Sequence, residues 1–267
     1  MEKIGVIAGN RRFPIEFSLA ARRKGYYVVA VAIKGDTSRK LKNCVDKIYW
    51  LALSEFSRMI EIFKSEGISN VVMAGQISPW RLFSKEVEQD PMLKSLLEGI
   101  KDKKADTIFG EIASRLEKEG LHLMDSTFCL DHLLPKKGTL TKREPQFNEW
   151  EDIYFGFDLA KEIGLLDIGQ SVVVKNKAVV AVEALEGTDN LIKRAAKIGR
   201  QGIILVKVSK PAQDKRFDIP VVGLNTVKTL IRSRAACLAI EAEKTLFLDK
   251  EAALLLADKA GLAIVAV

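Results

Sequence analysis

The sequence predicts an α/β protein with two domains, a Rossmann-like parallel-sheet domain followed by a second, mixed α/β domain. Through the first half, short apolar runs alternate with segments of helical length, the pattern of a parallel sheet with crossover helices. In the second half, two apolar runs are separated by three residues, which indicates a hairpin and hence a mixed sheet. The length of 267 residues also exceeds that of one average domain.

The first domain is predicted over residues 1–134. Apolar, β-branched runs predict strands at 4–9, 26–33, 45–51 and 70–75. Pro14 suits the first turn of a helix that follows the first strand. A helix is also expected between the last two strands, and two more near 91–101 and 106–119.

The second domain is predicted over residues 135–267, after a joint at 134–138 that contains Pro135 and Gly138. Its predicted order is a helix at 148–163, a hairpin at 171–184, a helix from a Thr188 cap to Arg200, a strand at 203–208 and a helix from Thr226. A strand, a helix at 249–260 and a strand at 263–267 complete it.

The charge and cysteine content narrow the classes of function. Lys and Arg total 42 against 35 acids, a net charge of +7, which suits an anionic ligand, a nucleic acid or an anionic membrane. Cys44, Cys129 and Cys237 lie too far apart to predict a disulfide scaffold, so a reducing cytoplasm is expected. No apolar run approaches the roughly 18 residues of a membrane span, and the first is too short for a signal peptide.

Nucleophilic catalysis by a Ser-His-Asp triad is not indicated. The chain has two histidines, His122 and His132, without clustered ligand partners, and it lacks a G-x-S-x-G motif. Nucleic-acid binding is also disfavoured, because no aromatic residues alternate with basic ones to form a stacking platform.

Two glycine turns follow predicted strands of the first domain, Gly9-Asn10 and Gly75-Gln76. Their spacing matches neither the dinucleotide fingerprint nor a P-loop. Each can be an ordinary tight turn or a ligand loop. Because both follow parallel strands, they are expected at the sheet's carboxyl edge, where ligands bind in such folds.

The strongest chemical signal is a basic segment that contains acids. Residues 193–234 hold eleven basic residues and two acids, a net charge of +9. Upstream, Glu183 stands in an apolar strand, where a carboxylate needs a partner or a metal. Carboxylates that can bind Mg²⁺ among phosphate-neutralising cations predict a metal-assisted phosphate or pyrophosphate enzyme; these carboxylates are Glu183, Glu186, Asp189, Asp214 and Asp218.

These segments resemble the LpxI family of UDP-2,3-diacylglucosamine pyrophosphatases in lipid A biosynthesis. The similarity is carried by VAVEALEGTD at 180–189, LVKVSKPAQDKRFDIP at 205–220, and Gly223 with Thr226. IAGN at 7–10 and AGQ at 74–76 are similar to the family's first domain.

The resemblance implies a homodimeric enzyme that hydrolyses the UDP-sugar to UMP and 2,3-diacylglucosamine 1-phosphate (lipid X). It implies dependence on Mg²⁺, a lipid-binding groove between the domains, and peripheral association with the cytoplasmic face of the inner membrane. One aspartate is essential in the family; Asp214 matches it, with Asp218 as the close rival.

The residue roles that follow are hypotheses. Asp214 and Asp218 are the proposed metal ligands, and they share the catalytic assignment with Glu183 and Glu186. Lys210 and Arg216 are expected to contact phosphate, and Gln213 a polar substrate group. The other residues assigned to substrate binding are Gly9, Asn10, Gly75, Gln76, Thr188, Asp189 and Thr226.

Two alternatives stay open. A nucleotide-sugar transferase would use the N-terminal turn to hold a nucleotide without cleaving a pyrophosphate. A non-hydrolytic nucleotide-sugar or lipid-binding protein would use the basic loop as a passive anion site.

Overall fold

The computed structural model describes residues 1–77, 81, 86–102, 105–211 and 213–267. Contacts divide the chain into two compact units. Unit 1 comprises Met1–Leu130 together with Asp214–Asp218, and unit 2 comprises Asp131–Gln213 and Ile219–Val267. Five residues of the basic loop therefore belong to the first unit, although the residues that flank them in the chain belong to the second.

The sheet of unit 1 is parallel throughout, with strand order β3-β2-β1-β4-β5. This order confirms the predicted Rossmann-like domain. Its central strands are buried on both faces, which explains their continuous apolar sequences. The strands are β1 (Lys3–Ala8), β2 (Tyr27–Ile33), β3 (Lys47–Leu51), β4 (Asn70–Ala74) and β5 (His122–Leu123).

Helices connect and cover these strands. The first begins with Pro14 in its first turn, as predicted. The second has Met59, Ile60 and Phe63 buried in the core. The described helices of unit 1 are α1 (Phe13–Arg23), α2 (Phe56–Ser65), α3 (Pro91–Glu98) and α4 (Ala105–Lys118), with a 3₁₀ turn at Arg39–Asn43.

Unit 2 contains a mixed six-stranded sheet of order β6-β13-β11-β9-β7-β8, which confirms the predicted mixed α/β class. Its strands are β6 (Gly138–Thr139), β7 (Ser171–Lys175), β8 (Ala178–Val182), β9 (Ile204–Lys207), β11 (Cys237–Ile240) and β13 (Ala263–Ala266). A separate parallel pair joins β10 (Val221–Gly223) to β12 (Leu246–Leu248). The predicted hairpin is β7–β8, and its turn has positive φ at Asn176 and Lys177, as a type I′ turn requires.

Four helices pack on this sheet among the described residues: α5 (Phe147–Leu165), α6 (Thr188–Gly199), α7 (Leu224–Arg232) and α8 (Lys250–Ala260). The prediction that Thr188 caps α6 is wrong. Gly187 holds the N-cap position, and the Thr188 hydroxyl donates to the buried Glu183 carboxylate at 2.7 Å. A buried carboxylate needs a donor, and this need directs the hydroxyl away from the helix start.

Across the described part of the chain, no helix is both long and apolar enough to cross a membrane.

Candidate functional site

The two predicted glycine turns of unit 1 lie against each other. The Gly9 amide donates to Ala74 O and the Asn10 amide donates to Gln76 O, each at 2.8 Å. A Cβ on Gly9 would lie 2.7 Å from the Gly75 backbone, and one on Gly75 would lie 2.5 Å from Asn10 O. Glycine is therefore required at both positions because the two backbones meet.

This contact changes what the turns can offer a ligand. The amides of Gly9 and Asn10 already have backbone acceptors, so the first turn is not an open cradle of N–H donors. The side chains of the turns stay available: Gln76 is exposed, and Asn10 Oδ1 is buried without a hydrogen-bond partner in the described structure.

Asp214–Asp218 is held in unit 1 by Ser126 and Phe109. Ser126 donates its amide to Lys215 O, and its hydroxyl lies 2.8 Å from both Met73 O and Arg216 O. Phe217 stacks on Phe109 with ring centroids 6.0 Å apart. A polar anchor and an apolar anchor thus fix the backbone that carries the two candidate aspartates.

Within this segment, Asp214 and Arg216 form a two-point ion pair. Arg216 Nη2 lies 2.7 Å from Asp214 Oδ2, and Arg216 Nε lies 3.0 Å from Oδ1. The hydrogen bonds from Arg216 hold the pKa of Asp214 below its ordinary value, against the opposing effect of burial. Both side chains are partly exposed, at 32% and 41%, so a phosphate can compete for the guanidinium.

The carboxyl edge of the unit 2 sheet carries a buried charged cluster. Strands β8 and β9 both run antiparallel to β7, so Glu183, after β8, and Lys207, at the end of β9, lie at one edge. Thr188 Oγ1 joins them: it donates to Glu183 Oε1 and accepts from Lys207 Nζ, both at 2.7 Å. All three residues are buried, and Glu183 Oε2 lies 3.8 Å from Lys207 Nζ.

A second buried carboxylate follows β11, which is parallel to β9. Glu241 accepts from Lys161 Nζ at 2.5 Å, from the Ser209 amide at 2.8 Å and from Lys244 Nζ at 2.8 Å. Burial alone would raise the pKa of Glu241, but these donors outweigh it and lower the pKa. Glu241 therefore remains ionised and fixes the loop that follows β9.

The predicted polar residues of that loop also have partners in unit 2. Gln213 Oε1 accepts from the Lys210 amide at 2.6 Å and from Ser209 Oγ at 2.9 Å. Its amide nitrogen is buried without a hydrogen-bond partner in the described structure, which leaves its two N–H groups for a ligand. Lys210 Nζ lies 2.6 Å from Asp167 Oδ1. Ala212, in the same motif, lies outside the described residues.

The remaining predicted residues lie near the starts of two helices. Thr226 Oγ1 lies 3.4 Å from Asp189 Oδ1, which connects the first turns of α7 and α6. Glu186 forms an ion pair with Arg194 on the surface of α6. Its hydrogen bond from Arg194 lowers the pKa of Glu186.

Four residues of these clusters are not singled out by the sequence: Lys207, Glu241, Ser209 and Ser126. Lys207 and Glu241 share one available signal, a single charge at the end of an apolar strand. The same signal had singled out Glu183. Ser126 offered no comparable signal, because its partners are backbone carbonyls distant in sequence.

The donor set permits an open magnesium site. Across the ranges that the structure describes, no three His, Cys, Asp or Glu side chains are grouped to hold a metal. Mg²⁺ is commonly held by one or two carboxylates with substrate phosphates and water. Asp214 and Asp218 lie one turn apart along the backbone, because the Asp218 amide donates to Asp214 O at 3.0 Å. Two carboxylates match the number of protein ligands in such an open site and are too few for a closed protein cage, and Asp214 would have to release Arg216 to bind the ion.

Comparison with known proteins gives one full-length relative. The chain is 30% identical over 279 residues to UDP-2,3-diacylglucosamine pyrophosphatase LpxI of Caulobacter vibrioides, covering 100% of this chain and 98% of that protein. Among solved structures, the biotin carboxylase subunit of pyruvate carboxylase matches 74% of this chain with 12% identity and a TM-score of 0.29. The N5-carboxyaminoimidazole ribonucleotide synthetase of Thermotoga maritima matches 71% with 17% identity and a TM-score of 0.26. The chain spans 41% and 43% of those two solved chains, and similarity this low supports no conclusion about it.

Two family models match successive parts of the chain. The LpxI N-terminal domain matches residues 3–133, and the LpxI C-terminal domain matches residues 136–265. Together with the full-length relative, these matches show that the chain belongs to the LpxI family.

Proposed function

We propose that the protein hydrolyses the pyrophosphate bond of UDP-2,3-diacylglucosamine to UMP and 2,3-diacylglucosamine 1-phosphate (lipid X), a step of lipid A biosynthesis. One observation carries the proposal: the full-length similarity to the Caulobacter vibrioides protein, whose name states that activity. The charged clusters described above suit the chemistry, because pyrophosphate cleavage needs cations for the phosphate oxygens and a carboxylate for the water.

Asp214 is the proposed catalytic carboxylate. Its lowered pKa keeps it ionised, so it can accept a hydrogen bond from the attacking water. A new P–O bond would form to that water, whose proton passes by way of Asp214 to solvent, while the bridging P–O bond breaks and its electron pair leaves on the departing phosphate oxygen. Arg216, now paired with Asp214, would turn toward the phosphate oxygens and neutralise charge as it develops there.

The residues of unit 2 have supporting roles in this proposal. Lys210 would contribute positive charge to phosphate, and Gln213 would donate its amide nitrogen to a polar substrate group. Glu183 would have a structural role, because its contacts with Thr188 and Lys207 hold the buried cluster together. Glu186, which lies just before α6, would act through its ion pair with Arg194 of that helix.

Asp214 and Asp218 would hold Mg²⁺. When bound there, the ion would polarise a phosphoryl oxygen as a Lewis acid. The other positive charges that neutralise the phosphate oxygens would come from the chain's own lysines and arginines.

We further propose that the enzyme acts as a homodimer at the cytoplasmic face of the inner membrane. The net charge of +7 supports attraction to anionic lipid headgroups. Binding should then be reversible and should weaken as salt screens the charges. Light scattering of the purified protein and sedimentation with anionic vesicles test the two statements separately.

The direct test is product formation. The purified protein is incubated with UDP-2,3-diacylglucosamine in excess Mg²⁺ or in chelator, and UMP and lipid 1-phosphate are quantified. Equal amounts of both products in Mg²⁺, and their loss in chelator, are expected. Substrate binding without UMP would favour the non-hydrolytic binding protein. UMP formed only when an acceptor other than water is added would favour the transferase.

A further inference from the structure

A cavity of about 610 Å³ opens in unit 1, and its lining includes no residue of the segment that carries Asp214. Its walls combine three cations, a tryptophan and a buried hydroxyl, and no residue assigned above lines it. The lining residues are Lys34, Gly35, Thr37, Arg39, Lys42 and Trp50.

The cavity is fixed at the carboxyl edge of the parallel sheet. Thr37 Oγ1 donates to Ala8 O, the last residue of β1, at 2.5 Å and accepts from the Ile33 amide, the last residue of β2, at 2.9 Å. Trp50 lies on β3 opposite Ala32. In doubly wound sheets, ligands bind outside the carboxyl ends of the strands.

The charged residues that line the cavity are all basic, although Lys34 also lies 4.0 Å from the Glu55 carboxylate. In dinucleotide-binding sheets an acidic residue near the end of β2 binds the ribose hydroxyls. Here Lys34 follows β2, and the nearby Asp36 carboxylate is buried, 2.8 Å from Arg81 Nη1. Lys34, Arg39 and Lys42 are exposed, so the cavity presents cations where such sheets usually present a carboxylate. Cations suit phosphate, which lysine and arginine bind through charge-assisted hydrogen bonds.

The tryptophan adds a second recognition element. Trp50 is half-buried, so its indole is held by the protein and still reaches the cavity. Nucleic acid bases stack on aromatic side chains whatever their sequence, because each base has a π face. An aromatic wall beside three cations therefore matches a ligand that joins a flat base to a phosphate.

We propose that this cavity binds a nucleoside phosphate, with the base on Trp50 and the phosphate among Lys34, Arg39 and Lys42. The assignment of the nucleotide as the uridine phosphate part of the substrate rests on the proposed function. On this basis the parallel-sheet unit has a binding role of its own, and its nucleotide site is built from β2, β3 and the 3₁₀ turn at Arg39–Asn43.

The test is binding of UMP, uridine and inorganic phosphate to the full chain by isothermal titration calorimetry. UMP is expected to bind more tightly than either fragment. Trp50→Leu should weaken UMP binding about tenfold, the loss of one stacked base, and Trp50→Phe should retain most of the affinity. Arg39→Gln with Lys42→Gln should weaken UMP and phosphate together, and added salt should weaken UMP less in this double variant than in the wild type.

Matched controls are Trp150→Phe, on α5, and Lys94→Gln, on the surface of α3. Both should bind UMP as the wild type does, and circular dichroism checks that every variant is folded. UMP affinity unchanged in both Trp50→Leu and the double variant would overturn the proposal. A Trp50→Leu protein that loses phosphate affinity as strongly as UMP affinity would also overturn it.

The test of this cavity and the test of the proposed reaction can succeed or fail independently. UMP binding that depends on Trp50, in a protein without pyrophosphatase activity, would support the cavity and reject the reaction. Hydrolysis together with UMP binding that is insensitive to Trp50 would support the reaction and reject the cavity.

Discussion

The polar edges of the two units are stabilised in different ways. In unit 1, two glycine turns bond through their backbones, and the charged pair Asp214–Arg216 lies partly exposed on a separate segment. In unit 2, buried side chains carry the charge, with Thr188 bridging Lys207 and Glu183. An exposed pair contributes little to stability and can exchange partners, whereas a buried one is costly to break. The partly exposed pair of unit 1 is therefore better suited to chemistry, and the buried cluster of unit 2 is better suited to holding the fold rigid.

The largest expected effect on stability comes from breaking the buried cluster. Lys207→Met leaves the Glu183 carboxylate buried without its cation, and this should lower the free energy of unfolding by about 3–5 kcal/mol. Urea denaturation measures it. The matched control is Lys197→Met on the exposed face of α6, which should change stability by less than about 0.5 kcal/mol. An equal loss of unfolding free energy in the two variants would show that the buried cluster does not stabilise the protein.

A smaller effect is expected where the two backbones of unit 1 meet. Gly75 has φ of +83°, and a Cβ there would lie 2.5 Å from Asn10 O. Gly75→Ala should therefore destabilise the protein by about 1–3 kcal/mol. Gly110→Ala is the control, because a Cβ at that position in helix α4 would meet no atom within 4 Å beyond its chain neighbours and the helix's own backbone, and alanine there should stabilise the helix by about 1 kcal/mol. In thermal unfolding, the melting temperature should fall for Gly75→Ala and rise for Gly110→Ala. Shifts of the same sign in both variants would contradict the close backbone contact at Gly75.

The smallest effect on stability is expected at the exposed pair, and it depends on pH. Because Arg216 lowers the folded-state pKa of Asp214, the pair stabilises the fold above the unfolded-state pKa. That contribution is lost as pH falls through the folded value. With Asp214 about one-third exposed, Asp214→Asn should cost less than about 1 kcal/mol at pH 7, and this difference from the wild type should vanish in acid. Urea titrations at pH 7 and below pH 3 measure it; a cost that persists in acid would contradict the ion-pair explanation.

The sequence predicts the fold well where patterns are long. Strands β1, β2 and β4 are continuous apolar runs because both of their faces are buried. Strands β5 and β6 have two residues each, too few to establish a period. The Asp214–Asp218 segment is visible in sequence as a charged loop, but its place in unit 1 depends on Ser126, 90 residues before Arg216. The tertiary structure decides which residues such a segment contacts, and it also decides the partners of Lys207 and Glu241.

We propose that Asp214 takes part in hydrolysis and contributes little to the stability of the fold. The rate of UMP release from UDP-2,3-diacylglucosamine by Asp214→Asn tests this, with Asp158→Asn on the exposed face of α5 as control. We expect a loss of about 10²- to 10⁴-fold in kcat for Asp214→Asn, with unfolding near that of the wild type, and no loss for the control. Turnover of Asp214→Asn within a few-fold of the wild type would contradict it and move the catalytic role to Asp218.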